Sequence, residues 1–139
     1  MGRALRVVHV GLGPIGQGIA RLVLEAEGLQ VVGATDPSPE YAGKDLGTVL
    51  GLPKKLRIKV APDPAKFLAK AKADLAVLCT SSSLKGVKAQ LAALTKRGIN
   101  VVTTCEELSF PTPEHSALFR ELDKAARKKK VRILGTGVN

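Results

Sequence analysis

The sequence predicts a doubly wound α/β fold, a parallel sheet of about six strands with helices on both faces. Three observations lead there. Apolar runs of strand length alternate with helical patterns along the whole chain. The stretch VGLGPIGQGIA, residues 10–20, sets Gly11, Gly13 and Gly16 between the first apolar run and the first helical pattern. An aspartate, Asp36, closes the second apolar run. Strands that alternate with helices pair in parallel through right-handed crossovers, so the alternation itself selects the class.

Leu5 to Val10 reads as the first strand and Ile15 to Glu27 as a helix stopped by Gly28. Leu29 to Thr35 is the second strand. DPSPEYAGKDLG, residues 36–47, is rich in turn formers, with a helical turn or two expected around Tyr41 to Leu50. Leu56 to Val60 is expected as a third strand and Pro64 to Lys72 as a short helix. Asp74 to Cys79 is almost wholly apolar, as a strand buried on both faces should be. The hydroxyls of Ser81, Ser82 and Ser83 open a helix from about Leu84 to Arg97, which Gly98 closes. Ile99 to Thr104 is the fifth strand. Thr112 followed by Pro113 starts a helix that runs to about Lys129, and Val131 to Leu134 is the sixth strand.

The 139 residues suit one domain, 1–139, with a real core. An apolar share of 45% excludes disorder, and no apolar run is long enough to cross a bilayer, so no membrane partner is expected. MGRALRVVHVG places basic residues before an apolar run, but the run is short and lacks a cleavage site, so it reads as a strand rather than a leader. Cys79 and Cys105 fall at strand ends and are expected as free thiols in the cytoplasm. A net charge of +10 raises a polyanionic partner, yet aromatics at 3% leave almost nothing on which to stack bases. Lys54, Lys55, Arg57 and Lys59 form one basic group, and Lys124 to Arg132 another that complements a helix C-terminus. Both read as solvated surface, with no specific nucleic-acid partner.

The glycine stretch has the context that a dinucleotide cradle needs: a strand before it, a helix opening on it, and an acid about twenty positions further on. In that Rossmann-type reading Gly11 permits the tight turn, Gly13 lets backbone approach a pyrophosphate, and Gly16 packs the helix against the sheet. Asp36 would accept hydrogen bonds from the adenosine ribose. Its charge opposes a 2′-phosphate, so NAD(H) is preferred and NADP(H) is the secondary cofactor, with Lys44 softening the bias.

Ligands of open parallel sheets lie beyond the carboxyl ends of the strands. The fourth strand ends in Cys79, Thr80 and the three serines, and the fifth in Thr103, Thr104, Cys105, Glu106 and Glu107. These residues either line the second ribose and nicotinamide or serve as helix caps, with solvation the further alternative for the two glutamates. Cys105 has no nearby histidine to make it a nucleophile. His9 reads as a packing histidine and His115 as solvated, and no Cys/His cluster has metal-ligand spacing, so no metal is expected.

GLGPIGQGIA, DPSPEYAGKDLG, LCTSSSLKGV, VVTTCEELSFP and ILGTGVN together resemble the 2,4-diaminopentanoate dehydrogenases, relatives of the dihydrodipicolinate reductases. The resemblance covers essentially the whole chain. VVTTCEELSFP and ILGTGVN are its specific parts, since the glycine fingerprint is shared by many enzymes. It implies Gly11, Gly13, Pro14, Ile15 and Gly16 at the pyrophosphate, and Asp36 at the adenosine ribose. It further implies Thr80 and Ser81 beside the cofactor, Thr103, Thr104 and Cys105 towards the nicotinamide, and Glu106 near substrate. The activity implied is oxidative deamination of an amino acid-like diamine, or the reverse reductive amination, by hydride transfer to or from nicotinamide. Such proteins carry a second, substrate-binding domain that contributes to homo-oligomer contacts. This chain, ending at Asn139, is expected to be the cofactor domain alone, inactive by itself and with no assignable catalytic acid or base. The alternatives are a dihydrodipicolinate reductase-like C=N reductase and a non-catalytic nucleotide-sensing module.

Overall fold

The computed structural model describes residues 2–109 and 112–137. Phe110, Pro111, Val138 and Asn139 of the two specific motifs lie outside the described residues. Five strands form the sheet: β1 (Leu5–Val10), β2 (Leu29–Thr35), β3 (Leu75–Leu78), β4 (Asn100–Thr103) and β5 (Ile133–Gly135). Among the described residues six α-helices accompany them: α1 (Pro14–Glu25), α2 (Leu46–Val49), α3 (Pro64–Lys70), α4 (Leu84–Lys96), α5 (Glu106–Ser109) and α6 (Ser116–Lys129), the last entered through a 3₁₀ turn at Pro113–His115. Every pairing is parallel, in the order β2-β1-β3-β4-β5.

The sequence implies this layering. β1 is an interior strand between β2 and β3, and Val7, Val8, His9 and Val10 are all buried, as a strand covered on both faces requires. Successive side chains point to opposite faces. Val8 and Val10 accordingly join the core that includes Leu78, Leu84, Val87, Leu91 and Val101. On the other face, Ala20 of α1 packs with Leu12, Val31, Ala34, Leu46, Leu50 and Val60. The two cores divide a doubly wound sheet between them.

The expected strand at 56–60 is not one, so the sheet has five strands rather than about six. Instead of a ladder the segment has an isolated bridge, Lys59 with Asp45, and the next residue, Ala61, has another with Thr35. Arg57 sits at φ 61, which breaks the extended path. The Asp45 carboxylate also accepts the N–H groups of Leu56 and Ile58, at 2.9 and 3.0 Å, which a ladder would otherwise engage. Those contacts, with Gly47 N–H, hold the Asp45 carboxyl below its ordinary range. Within the basic helix end, Lys130 closes α6 in a left-handed conformation after Arg127, Lys128 and Lys129, whose charges face the negative end of the dipole.

The strand order places the site. The chain leaves β1 towards β2 on one side and returns to β3 on the other, so a crevice opens beyond the carboxyl ends of β1 and β3.

Candidate functional site: a glycine-floored cleft at the β1/β3 switch point

Each glycine of the turn has a separate physical task. Gly11 has φ +100, and a Cβ there would lie 2.5 Å from the Cys79 carbonyl oxygen. β1 and β3 therefore approach too closely at their ends for any side chain. A Cβ on Gly16 would collide with the Gly11 carbonyl, so the first turn of α1 is packed directly against the end of β1. Gly13 differs. Its φ of −65° suits any residue, and a Cβ there meets nothing within 4 Å. The space over Gly13 is open, and it faces the crevice.

α1 starts at that space. Its N-cap is Gly13, which has no side chain to satisfy the first-turn N–H groups, and Pro14 follows at the first helical position without an N–H. Ile15 and Gly16 lie in the turn where helix geometry leaves N–H groups without intrahelical acceptors. With the positive end of the dipole, this start suits an anion. α4 also begins at the crevice, but it is capped twice. Ser83 accepts from the Gly86 N–H, and Glu107 Oε1 accepts from the Leu84 N–H at 2.7 Å. Of the two helix starts, α1 is the one left for an anion.

The cleft has a volume of about 330 Å³ and is lined by Gly13, Pro14, Ile15, Gly16, Cys79, Thr80, Ser81, Ser82, Thr104 and Glu106. All ten are among the residues singled out from the sequence, and they meet in one place. Thr80 donates its hydroxyl to Gln90 Oε1 at 2.6 Å, which fixes its rotamer on the wall. Ser81 Oγ accepts the Ser83 N–H at 3.0 Å and shapes the turn into α4. The serine question resolves residue by residue: Ser83 caps the helix, whereas Ser81 and Ser82 line the cleft.

Thr103 and Cys105 do not line it. Thr103 Oγ1 donates to the Leu78 carbonyl at 2.8 Å and accepts the Cys105 N–H, so it stitches β3 to β4. Cys105 is fully buried, with its Sγ on the Ser82 carbonyl at 3.3 Å, and burial pushes its thiol up. Thr104 and Glu106 face the cleft, whereas Thr103 and Cys105 are buried behind it. Cys79 does reach the cleft, but burial raises its thiol to about 11, so it is no nucleophile at neutral pH.

Asp36 lies on the other side of the glycine turn. Its Oδ2 accepts the Leu12 N–H at 2.6 Å and its Oδ1 the Ser38 N–H at 2.8 Å. The carboxylate therefore ties the end of β2 to the turn. His9 supports the same turn from beneath. Its Nε2 lies 2.9 Å from the Gly11 carbonyl, which requires the Nε2–H tautomer, and burial lowers its pKa. Nδ1 of His9 is buried without a partner, as the packing reading of this histidine allows.

His115 is not solvated. It is buried in the 3₁₀ turn, with Nε2 3.0 Å from Glu107 Oε2. Glu107 is the residue whose importance sequence reasoning left open. The Leu84 N–H first, and then His115, hold its carboxyl below the usual range. Adjacent glutamates thus have different tasks, Glu106 at the cleft and Glu107 as a cap. Among the described residues no group of His, Cys, Asp or Glu could hold a metal ion, and no helix is long and apolar enough to cross a membrane.

Known proteins are similar to this chain in sequence and fold. A 2,4-diaminopentanoate dehydrogenase from Acetoanaerobium sticklandii is 30% identical over 97% of this chain and 38% of its own length. A 4-hydroxy-tetrahydrodipicolinate reductase from Anaeromyxobacter is 38% identical over 69% of this chain and 34% of its own. The solved amine dehydrogenase of Mycobacterium smegmatis superposes with a TM-score of 0.87 at 35% identity, covering 96% of this chain and 39% of that one. The chain thus spans well under half the length of these relatives. Residues 5–134 match the family described as dihydrodipicolinate reductase, N-terminus, and the chain belongs to that family of oxidoreductase domains.

Proposed function

We propose that this chain is the nicotinamide-dinucleotide-binding part of an oxidoreductase acting on an amino acid-like diamine. The observation that carries the reading is the open space over Gly13 at the uncapped start of α1, between two glycines that admit no side chain. A pyrophosphate takes that space, with Gly13 to Gly16 as its floor. Asp36 serves the adenosine ribose, and its negative charge favours NAD(H) over NADP(H). Thr80, Ser81 and Thr104 orient the nicotinamide half, and Glu106 stands at the substrate end. Thr103 and Cys105 support this rim from the core rather than by side-chain contact.

When bound, the cofactor supplies the hydride chemistry, and the residues of this chain bind and orient it. Substrate contacts come from a second domain of the longer protein, which also carries the homo-oligomer contacts. The chain alone is inactive. A cytoplasmic setting fits its two free thiols.

The likeness to the diaminopentanoate enzyme over 97% of the chain favours oxidative deamination or its reversal. The matching family and the 38% identity to a 4-hydroxy-tetrahydrodipicolinate reductase favour C=N reduction as the second reading. NADH fluorescence during titration of the chain tests the cofactor claim, with saturation expected and a linear response contradicting it. Turnover by the longer protein separates the substrates. NADH formation with 2,4-diaminopentanoate supports the first reading, and NADH consumption only with 4-hydroxy-tetrahydrodipicolinate replaces it with the second.

A further inference from the structure

We infer that Glu107 and His115 are positioning residues for the nicotinamide side of the cleft, an inference that rests on the dinucleotide reading above. Neither residue lines the cleft. Together they set where its two walls stand.

One wall is the segment 79–82 that leads into α4, and the other is Thr104 and Glu106 at the start of α5. The walls are joined behind the cleft. The Ser82 carbonyl accepts the Glu107 N–H at 3.2 Å and the Cys105 thiol at 3.3 Å. Across the same seam, the Glu107 carboxylate takes the Leu84 N–H at 2.7 Å. Ser82 and Leu84, on either side of Ser83, are thus gripped by Cys105 and Glu107, on either side of Glu106. The width of the cleft between Ser82 and Glu106 follows from these bonds.

His115 completes the clasp. Only 7% of it is exposed, and its Nε2 meets the second oxygen of Glu107 at 3.0 Å. With both oxygens engaged, Glu107 has one orientation, and its N–H is aimed at Ser82. A carboxylate serving only as an exposed helix cap would need no buried histidine behind it. The 3₁₀ turn before α6 brings His115 to this point, so the His115–Glu107 pair ties the entry to α6 to the cleft wall. The adenosine end, at Asp36, shares none of these bonds.

That separation defines the test. Binding of NADH, which spans both halves of the cleft, and of ADP, which carries only the adenosine half and pyrophosphate, is measured by calorimetry on the full chain. Glu107→Ala is expected to weaken NADH about tenfold while ADP affinity stays within about twofold, since lost pre-organisation acts only on the groups it holds. Glu107→Gln keeps an oxygen for the Leu84 N–H and an amide to face the His115 ring, and is expected to restore most of the loss. His115→Ala is expected to shift NADH in the same direction and carries the comparison should Glu107→Ala fail to fold. Unchanged NADH affinity in both alanine variants would overturn the proposal. So would equal weakening of NADH and ADP, which marks a general effect on the fold. If the unsubstituted chain binds neither ligand, the dinucleotide reading itself fails and this proposal with it.

Discussion

The carboxylate of Asp36 receives the backbone N–H of Leu12 at 2.6 Å, across the turn that joins β1 to α1. Leu12 is fully buried, so this donor has no water to turn to. The residue proposed to serve the adenosine ribose also ties down the glycine turn. Replacing it changes two things at once. Asp36→Ala is expected to cost about 1–3 kcal/mol of stability, because a buried N–H loses its acceptor. Urea denaturation reads that loss, and an unchanged midpoint would contradict it.

Cofactor preference is better tested with Asp36→Asn. The amide oxygen can still accept the Leu12 N–H, while the charge that opposes a 2′-phosphate is gone. The ratio of NADPH to NADH dissociation constants is expected to fall towards one. A ratio that stays fixed would remove Asp36 from the preference.

Gly16→Ala places a Cβ against the Gly11 carbonyl, where only backbone can give way. The expected cost is about 1–3 kcal/mol, in the range of overpacked sites. A melting temperature equal to that of the unsubstituted chain would show that the turn is less tightly closed than this geometry requires.

Stability should fall on the acid side of neutrality through His9. Its folded pKa is lowered by burial, so the unfolded chain binds the proton more readily. The contribution is complete above the unfolded value of about 6.5 and is lost as pH drops from there towards the lower folded value. A melting profile in which His9→Gln flattens this slope agrees. Parallel slopes in the two proteins do not.

A second acid step belongs to Asp74, held at about 2 by the Arg3 guanidinium and the Arg6 N–H. Its contribution is present above the unfolded value near 3.8 and is lost as pH falls through about 2. Asp74→Asn is expected to lower the melting temperature at pH values above that window and to converge with the parent below it. A difference that persists at the lowest pH would assign the effect to packing instead.

The parts of this fold legible in the sequence are those determined locally. β1 and β2 follow their apolar runs residue for residue, because Gly11, Gly28 and Asp36 bound those runs locally. The glycine turn was legible because each glycine answers a backbone demand within a few residues. The segment 56–60 misled because alternation cannot show that Arg57 turns left-handed, nor that Asp45 takes the N–H groups of Leu56 and Ile58. Glu107 and His115 depended on a contact between a helix start and a 3₁₀ turn, set by tertiary packing that no periodicity records. At the rim, adjacency in sequence groups Thr103 and Cys105 with Thr104 and Glu106, whereas hydrogen bonds to Leu78 and Ser82 hold the first two in the core.

The most direct test of the central claim uses Gly13, where a side chain fits the fold but fills the cradle. NADH is titrated calorimetrically into the chain and into Gly13→Val, with thermal melting of both alongside. The account predicts saturable one-to-one binding by the parent and affinity reduced about tenfold or more in the variant, with stability held to within about 1 kcal/mol. Equal binding by the two proteins, or no saturable binding by the parent, would contradict it.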